Sequence, residues 1–230
     1  MDFLTSNKKK FKIAIDGPDG VGKSVLILNL AERLRERFAR NATFQFEPRY
    51  ISPFCDKSRW DRPGIMPKDR PSLRDYVNAI KDGEIGWDSE EKNQELLMHL
   101  FYLMNESALR IVETRKLPAD VDKEIYLFDR SFVTFAVEQG IEISESIARY
   151  DQCVIVVDTA ETIKRNLLKR EDNDSFDDVD LDSIQRKIDA YRAFYDKSDK
   201  GKFILLDLST ISVNKAMVGA RRLVKEIFPE

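Results

Sequence analysis

Three glycines, a lysine and a serine stand within one short stretch near the start of the chain, GPDGVGKS at residues 17–24. Their spacing matches G-x-x-x-x-G-K-[ST], in which glycines let successive backbone N–H groups turn inward around anionic oxygens. A strand-like stretch precedes the loop and a helical pattern follows it, so the positive end of the helix adds to the anion site. The stretch therefore predicts binding of a nucleotide through its phosphates. The residues expected to contact the nucleotide are Gly17, Asp19, Gly20, Val21, Gly22, Lys23, Ser24 and Val25.

Four side chains could carry the chemistry of such a site. Lys23 should reach the β- and γ-phosphates, and the hydroxyl of Ser24 should hold Mg²⁺. Asp129 and Arg130 follow an apolar, strand-like stretch, and ligands of open α/β sheets bind outside the carboxyl ends of the strands. An aspartate there can bind Mg²⁺ through water, and an arginine can hold a phosphoryl oxygen with paired donors. The simpler interpretation of this pair is an ordinary salt bridge after a strand.

A further carboxylate, Glu47, stands before Pro48 at the expected end of the second strand. The same topological argument places it at the mouth of the cleft. There it could accept a proton, orient an acceptor molecule or hold metal-bound water. The alternative is a solvated carboxylate at a strand end.

Hydrophobic periodicity predicts strands that alternate with helices, which favours a parallel sheet covered on both faces. The predicted strands are Phe11–Ile15, ATFQFEP ending at Pro48, KEIYLFD ending at Asp129, DQCVIVVDT and GKFILLDL. The predicted helices are Lys23–Phe38, Ser72 to about Lys81, Ser89 to about Arg115, a helix ending at Gln139, Ala160 to about Arg170, Leu181 to about Asp199, and Ser212–Ile227.

The composition is that of an ordinary globular domain, and we expect residues 1–230 to form a single one. A net charge of −3 favours neither a nucleic acid polymer nor an anionic membrane as a partner. Apolar runs stay short of the roughly 20 residues that cross a bilayer. The two cysteines, Cys55 and Cys153, fit neither a metal spacing nor a disulfide framework, so we expect a reducing, cytoplasmic location.

Several segments in order resemble thymidylate kinase, within the P-loop nucleoside and nucleoside monophosphate kinases. They are IDGPDGVGKS, FEPR, YLFDRSFVTFAVEQG, VIVVDTAETIKRNLLKR and DLDSIQRKIDAYRAFYD. The resemblance implies a P-loop NTPase fold with a five-stranded parallel sheet in the order 2-3-1-4-5. It implies phosphoryl transfer from ATP, with Mg²⁺, to the 5′-phosphate of a deoxynucleotide such as dTMP. It also implies a homodimer packed through helices.

The family pattern carries over to the phosphate loop, to Glu47, to the Asp129–Arg130 pair and to Gln139, at the end of the acceptor-side segment. Four positions differ. Phe46 stands where the family often has an arginine, which Arg49 could replace from the other side. Asn105 and Glu106 occupy the place of an Asp-Arg pair, whose arginine binds the acceptor, and Glu138 stands where the family favours tyrosine. The acceptor-side residues implied are Glu47, Arg49, Arg130 and Gln139.

A kinase needs positioned cations around the transferring phosphoryl group. The phosphate loop contains no arginine, and Gly20 stands where some relatives carry one. We therefore expect the lid, at approximately residues 165–182, to supply the cation through Arg165 and Arg170. The lid also contains seven carboxylates between Glu171 and Asp182, a run typical of a solvated, flexible loop. The catalytic residues expected are Lys23, Asp129, Arg130, Glu47, Arg165 and Arg170.

Two alternatives remain beside a monophosphate kinase. A deoxynucleoside kinase would phosphorylate a 5′-hydroxyl, with Glu47 as general base, and the scarcity of arginines for an acceptor phosphate favours it. A nucleotide-binding module without turnover is the other alternative. It has less support, because a GTPase would show N-K-x-D where this chain reads VNKAM.

Overall fold

A computed structural model describes residues 9–38, 46–51, 102–103, 105–117, 123–140, 144–169 and 180–229, with the backbone alone for 46–51 and Gln139. The chain divides into two compact units, Met1–Tyr50 with Leu117–Glu230, and Ile51–Lys116. In the second unit, residues 105–114 form a helix, α2. The single domain expected from the sequence stays a prediction.

A five-stranded sheet forms the centre of the first unit. Its strands follow the order β2-β3-β1-β4-β5, which confirms the predicted order. The strands are β1 Lys10–Asp16, β2 Phe46–Ile51, β3 Lys123–Asp129, β4 Gln152–Val157 and β5 Phe203–Asp207. The pairings β1–β3, β1–β4 and β4–β5 are parallel. In this register Ile15 lies opposite Asp129, so the phosphate loop and the Asp129–Arg130 pair begin at the same edge of the sheet.

Helices flank the sheet and bury it. They are α1 Lys23–Phe38, α3 Phe132–Gln139, α4 Ser144–Ala148, α5 Ala160–Leu168, α6 Leu181–Lys197 and α7 Lys215–Ile227, with a 3₁₀ turn at Leu208–Thr210. β3 is buried from Glu124 to Asp129 and β4 from Cys153 to Val157, because strands covered on both sides have no solvent face. α1 contributes an apolar stripe of Leu26, Ile27, Leu30, Ala31, Leu34 and Phe38.

The second strand differs most from its prediction. Pro48 does not end β2, which continues to Ile51. β2 is an edge strand, and an edge position tolerates proline because one of its sides has no ladder hydrogen bond to lose. Glu47 is thus the second residue of this strand and not its end.

Helix ends also shift by a few residues. α5 ends at Leu168 with Lys169 as its C-cap, before the expected end at Arg170. α6 ends at Lys197 because Ser198 is extended, and α7 starts at Lys215 because Asn214 is left-handed.

Two short elements were not predicted, α4 and the 3₁₀ turn. α2 ends at residue 114, one residue before the expected end, but its predicted start at Ser89 and the predicted helix at 72–81 lie outside the described residues. Within the described part of the chain, no helix is long and apolar enough to span a bilayer.

Candidate active site

The loop between β1 and α1 depends on glycine for its shape. Gly17 and Gly20 adopt φ values of 149° and 80°, which are strained for residues with a Cβ. A Cβ on Gly17 would lie 2.2 Å from the carbonyl oxygen of Val156, and one on Gly20 would lie 2.7 Å from Cγ of Leu167. A Cβ on Gly22 would have no atom within 4 Å. The loop is therefore packed against β4 and α5 at two glycines and open at the third.

Lys23 begins α1 and lies inside the loop with 6% of its surface exposed. Its Nζ donates to the carbonyl oxygens of Gly17, at 2.8 Å, and Pro18, at 2.9 Å. It also lies 4.0 Å from a carboxylate oxygen of Asp19. The ammonium group is thus positioned at the loop, beside the N-terminus of α1. Its charge and the helix N-terminus both favour the binding of an anion.

Ser24, in the first turn of α1, and Asp129, at the end of β3, lie next to each other at one edge of the sheet. The Ser24 hydroxyl donates to Oδ2 of Asp129 at 2.8 Å, so the two predicted metal ligands lie side by side. Oxygen ligands of this kind suit Mg²⁺, which keeps several waters and needs few protein ligands. No cluster of three or more His, Cys, Asp or Glu side chains suited to a metal occurs among the described residues, but Mg²⁺ bound beside nucleotide phosphates does not require one.

Arg130 turns back toward the phosphate loop. It is a non-glycine residue with φ of 70°, a conformation that costs about 1 kcal/mol or more and must be stabilised by its surroundings. Its backbone N–H donates to the carbonyl oxygen of Ile15 at 2.9 Å, and its guanidinium pairs with the carboxylate of Asp19. Arg130 and Lys23 therefore share Asp19 as a neighbour.

Asp16 is a site residue that the sequence prediction missed. Its carboxylate is completely buried and accepts hydrogen bonds from the backbone N–H and hydroxyl of Ser131, at 2.8 and 2.7 Å. It also accepts from the backbone N–H and hydroxyl of Thr134, at 3.2 and 2.8 Å. Burial raises the pKa of Asp16, while the bonds from Ser131 and Thr134 and the charge of Lys23 act in the opposite direction. The signal in the sequence was an acidic residue at the end of an apolar strand, directly before Gly17.

Thr134, which donates to Asp16, also lies next to a buried tyrosine. Tyr191 of α6 is fully buried, and its hydroxyl lies 3.0 Å from Oε1 of Glu138 and 3.4 Å from Oγ1 of Thr134. Burial, together with the charges of Glu138 and Asp16, raises the pKa of Tyr191 well above its usual value. The phenol is therefore neutral and can donate to Glu138.

α5 supports the phosphate loop from the β4 side. Asn166 donates from Nδ2 to the carbonyl oxygen of Gly20 at 2.9 Å, a contact that the sequence did not predict. Arg165 lies in the last turn of the same helix and is exposed. At the end of β4, Lys215 pairs with the buried Asp158 at 2.7 Å.

The structure thus brings together Lys23, Ser24, Asp129 and Arg130, the residues expected at the phosphate site, whose roles stay predictions. Of the other predicted nucleotide contacts, Val21 is buried and Val25 is 55% exposed. Arg170 lies outside the described residues, as do the side chains of the acceptor-side residues Glu47, Arg49 and Gln139. The roles of these residues stay predictions.

Comparison with known proteins is informative at the level of the fold. No family model matches the chain, and no curated protein matches it in sequence. Among solved structures, the chain is similar to thymidylate kinase from Ehrlichia chaffeensis, with 16% identity and a TM-score of 0.53, over 96% of this chain and 100% of that chain. The predicted fold class is confirmed: this chain has an α/β fold, a parallel sheet flanked by helices, of the form seen in that thymidylate kinase.

Proposed function

We propose that this protein is a P-loop kinase that transfers a phosphoryl group from ATP to a nucleoside monophosphate, with dTMP to dTDP as the first choice. The observation that carries the proposal is the 2.8 Å contact between Ser24 and Asp129, beside the phosphate loop, with which the side chains of Lys23 and Arg130 are both paired. A hydroxyl, a carboxylate and two cations at the N-terminus of a helix are what a Mg-nucleotide needs. The shared fold with a thymidylate kinase supports the same class of reaction.

Catalysis would depend on positioning and electrostatics, because phosphoryl transfer asks for little covalent chemistry from the protein. The backbone N–H groups of the loop and Lys23 would bind the β- and γ-phosphates. Ser24 and Asp129 would hold Mg²⁺, which supplies positive charge next to the phosphate oxygens when it is bound. Arg130 would exchange Asp19 for an oxygen of the transferred or acceptor phosphate.

The remaining roles are assigned from the family pattern. Glu47 would organise the acceptor, with Arg49 and Gln139 as further contacts. Arg165 and Arg170 would bring positive charge to the transferring group from the lid, at approximately residues 165–182. Arg165 is exposed in the last turn of α5, next to Asn166, which contacts the loop.

A deoxynucleoside kinase is the second candidate, and one feature of α2 favours it. Asn105 is completely buried and, with Glu106, occupies the place where the family carries an arginine for the acceptor. A site with fewer cations suits a neutral 5′-hydroxyl better than a phosphate.

The experiment is a panel of acceptors with Mg-ATP. The purified protein is incubated with nucleosides and nucleoside monophosphates, and the products are separated by chromatography. We expect dTMP to yield dTDP and thymidine to yield nothing. Phosphorylation of thymidine but not dTMP would replace the first proposal by the second, and loss of ATP without any phosphorylated acceptor would refute both.

The cytoplasmic location predicted from the cysteines also stays a proposal. Cys153 is a buried free thiol, and burial raises its pKa above the usual value. A thiol of this kind behaves as a small apolar side chain, so it is compatible with a reducing compartment.

A further inference from the structure

One buried side chain, Asp16, forms hydrogen bonds that hold the turn that carries Asp129 and Arg130. β3 ends at Asp129 and α3 starts at Phe132, so only Arg130 and Ser131 separate the strand from the helix. Asp16 takes two hydrogen bonds from Ser131 and two from Thr134 in the first turn of α3. Four donors from two residues of this turn, Ser131 and Thr134, fix the turn in both direction and distance.

The same residue also fixes the phosphate loop, because it directly precedes Gly17. In the parallel register Ile15 lies opposite Asp129, and Asp16 extends one residue beyond that pair. The backbone at this point is bonded as well, from the N–H of Arg130 to the carbonyl oxygen of Ile15. One carboxylate therefore joins the start of the phosphate loop to the turn that bears the metal ligand and the arginine.

The left-handed conformation of Arg130 depends on this link. A φ of 70° at a long side chain is unfavourable unless the neighbouring residues are held. Ser131 is the residue that Asp16 holds most fully, through its backbone N–H and its hydroxyl. If Ser131 were released, Arg130 would relax toward ordinary φ values, and its guanidinium would move away from Asp19 and the loop.

We propose that Asp16 is a positioning residue, which sets the Asp129–Arg130 turn relative to the phosphate loop by accepting hydrogen bonds from Ser131 and Thr134. It does not contact the substrate, since it is completely buried beneath the turn. The kinetic part of the test below rests on the proposed kinase function, and the crystallographic part does not.

The geometry makes Asp16→Asn the informative conservative variant. Oδ1 accepts three of the four hydrogen bonds, and Oδ2 accepts only from the hydroxyl of Ser131. In asparagine the amide oxygen can keep the three bonds, and the amide nitrogen can donate to the serine oxygen in place of the fourth. The variant therefore removes the charge and keeps the connections, whereas Asp16→Ala removes both.

We expect Asp16→Asn to keep kcat within about 3-fold of the wild type, and Asp16→Ala to lower it about 100-fold, because small misplacements of a catalytic group cost this much. KM for ATP should change less than about 3-fold in both, since the loop's own amides still bind the phosphates. Thr134→Val should lower kcat about 10-fold alone and have little further effect in Asp16→Ala, because both changes break the same link.

Asp151→Ala is the matched control. Asp151 also accepts a backbone N–H, from Lys12 at 2.7 Å, but it stands at the start of β4, at the opposite end of the strand from Asp158. The Asp151→Ala variant should be less stable than the wild type but show no specific loss of kcat. Equal kinetic losses in Asp16→Asn and Asp16→Ala, or an unchanged kcat in Asp16→Ala, would overturn the positioning role.

Crystal structures of the wild type and of Asp16→Ala test the proposal independently of activity. We expect Arg130 to leave the left-handed region in the variant, and an unchanged φ would contradict the proposal. If Asp16→Ala does not fold, Thr134→Val takes its place in the kinetic measurement, and Ser131→Ala, which breaks the hydroxyl bond to Asp16, takes its place in the crystallographic one. A wild-type protein that transfers no phosphoryl group would refute the proposed function, and φ of Arg130 would then decide this inference alone.

Discussion

The side chains of the candidate site come from distant points of the chain. Ser24 and Asp129 are 105 positions apart and lie 2.8 Å from each other. Each functional group has a polar neighbour within the site: Lys23 has the loop carbonyls, Arg130 has Asp19, and Ser24 has Asp129. A bound Mg-nucleotide would have to replace these partners with phosphate oxygens and the metal, which offer stronger charge-assisted bonds.

Lys23→Ala should reduce phosphoryl transfer more than 100-fold, because the ammonium group is the loop's own point charge for the β- and γ-phosphates. The free energy of unfolding should fall by only about 1–2 kcal/mol, since Nζ donates to two carbonyls that water can then solvate. Lys225→Ala, at the exposed end of α7, is the control and should change neither quantity. Transfer rates and urea unfolding measure both, and retained activity in Lys23→Ala would contradict the assigned role.

Asp16→Asn should alter how stability depends on pH. Burial raises the pKa of Asp16 above its usual 3.8, so the folded state binds this proton more tightly than the unfolded state. The stability that results is fully present below pH 3.8 and is lost as pH rises through the folded-state pKa. Asparagine cannot ionise and does not incur this loss.

The free energy of unfolding of the variant, minus that of the wild type, should therefore rise with pH. The slope is at most about 1.4 kcal/mol per pH unit, and the difference should level off above the folded-state pKa of Asp16. Urea unfolding between about pH 4 and about pH 7 measures it. A difference that is flat, or that decreases, would mean that the hydrogen bonds from Ser131 and Thr134 outweigh burial.

Among the elements, α5 restricts which residues fit in the phosphate loop. Asn166 donates to Gly20, and the side chain of Leu167 and the carbonyl of Ile163 leave no room for a Cβ there. This packing explains why Gly20 cannot be an arginine in this chain, as it is in some relatives of the family it resembles. In the proposed kinase, positive charge for the transferred group would then have to come from another element, as in the role proposed for Arg165.

Gly20→Ala and Gly140→Ala form a matched pair that tests this packing. Both glycines have positive φ, 80° and 65°, so alanine should cost about 1 kcal/mol at each from the backbone. Only at Gly20 would the Cβ meet other atoms, with Leu167 Cγ at 2.7 Å and nothing within 4 Å at Gly140. We expect a total loss of about 3 kcal/mol or more at Gly20, measured by urea unfolding, and equal losses at both positions would contradict the close contact.

The elements also show which features can be predicted from sequence. The strands and the loop were predictable, because a buried parallel strand and a glycine-rich turn each leave a local pattern, whereas the strand order came from the family resemblance. Pro48 was misleading, since it was taken to end the strand, whereas an edge strand such as β2 tolerates a proline. Asp16 and Asn166 were missed for a similar reason: their partners, Ser131 and Gly20, are over 100 positions away in the chain.

At the scale of the whole molecule, the chain has two compact units that differ in what they contribute. The first contains the sheet, the phosphate loop and the Asp129–Arg130 turn. The second includes α2 and, just before it, two exposed apolar side chains in helical backbone, Tyr102 at 36% and Leu103 at 44%. The homodimer implied by the family resemblance would cover side chains such as these.

A dimer packed through this helix should have twice the mass of the 26.7 kDa chain in size-exclusion chromatography with light scattering. Leu103→Glu should shift the protein toward the single-chain mass, because an unpaired carboxylate in an apolar interface costs several kcal/mol. Leu181→Glu is the control, since Leu181 is similarly exposed, at 41%, at the start of α6 in the other unit. A wild-type protein that elutes at the single-chain mass would show that there is no such dimer. A dimer that Leu181→Glu disrupts and Leu103→Glu does not would show that the interface lies elsewhere.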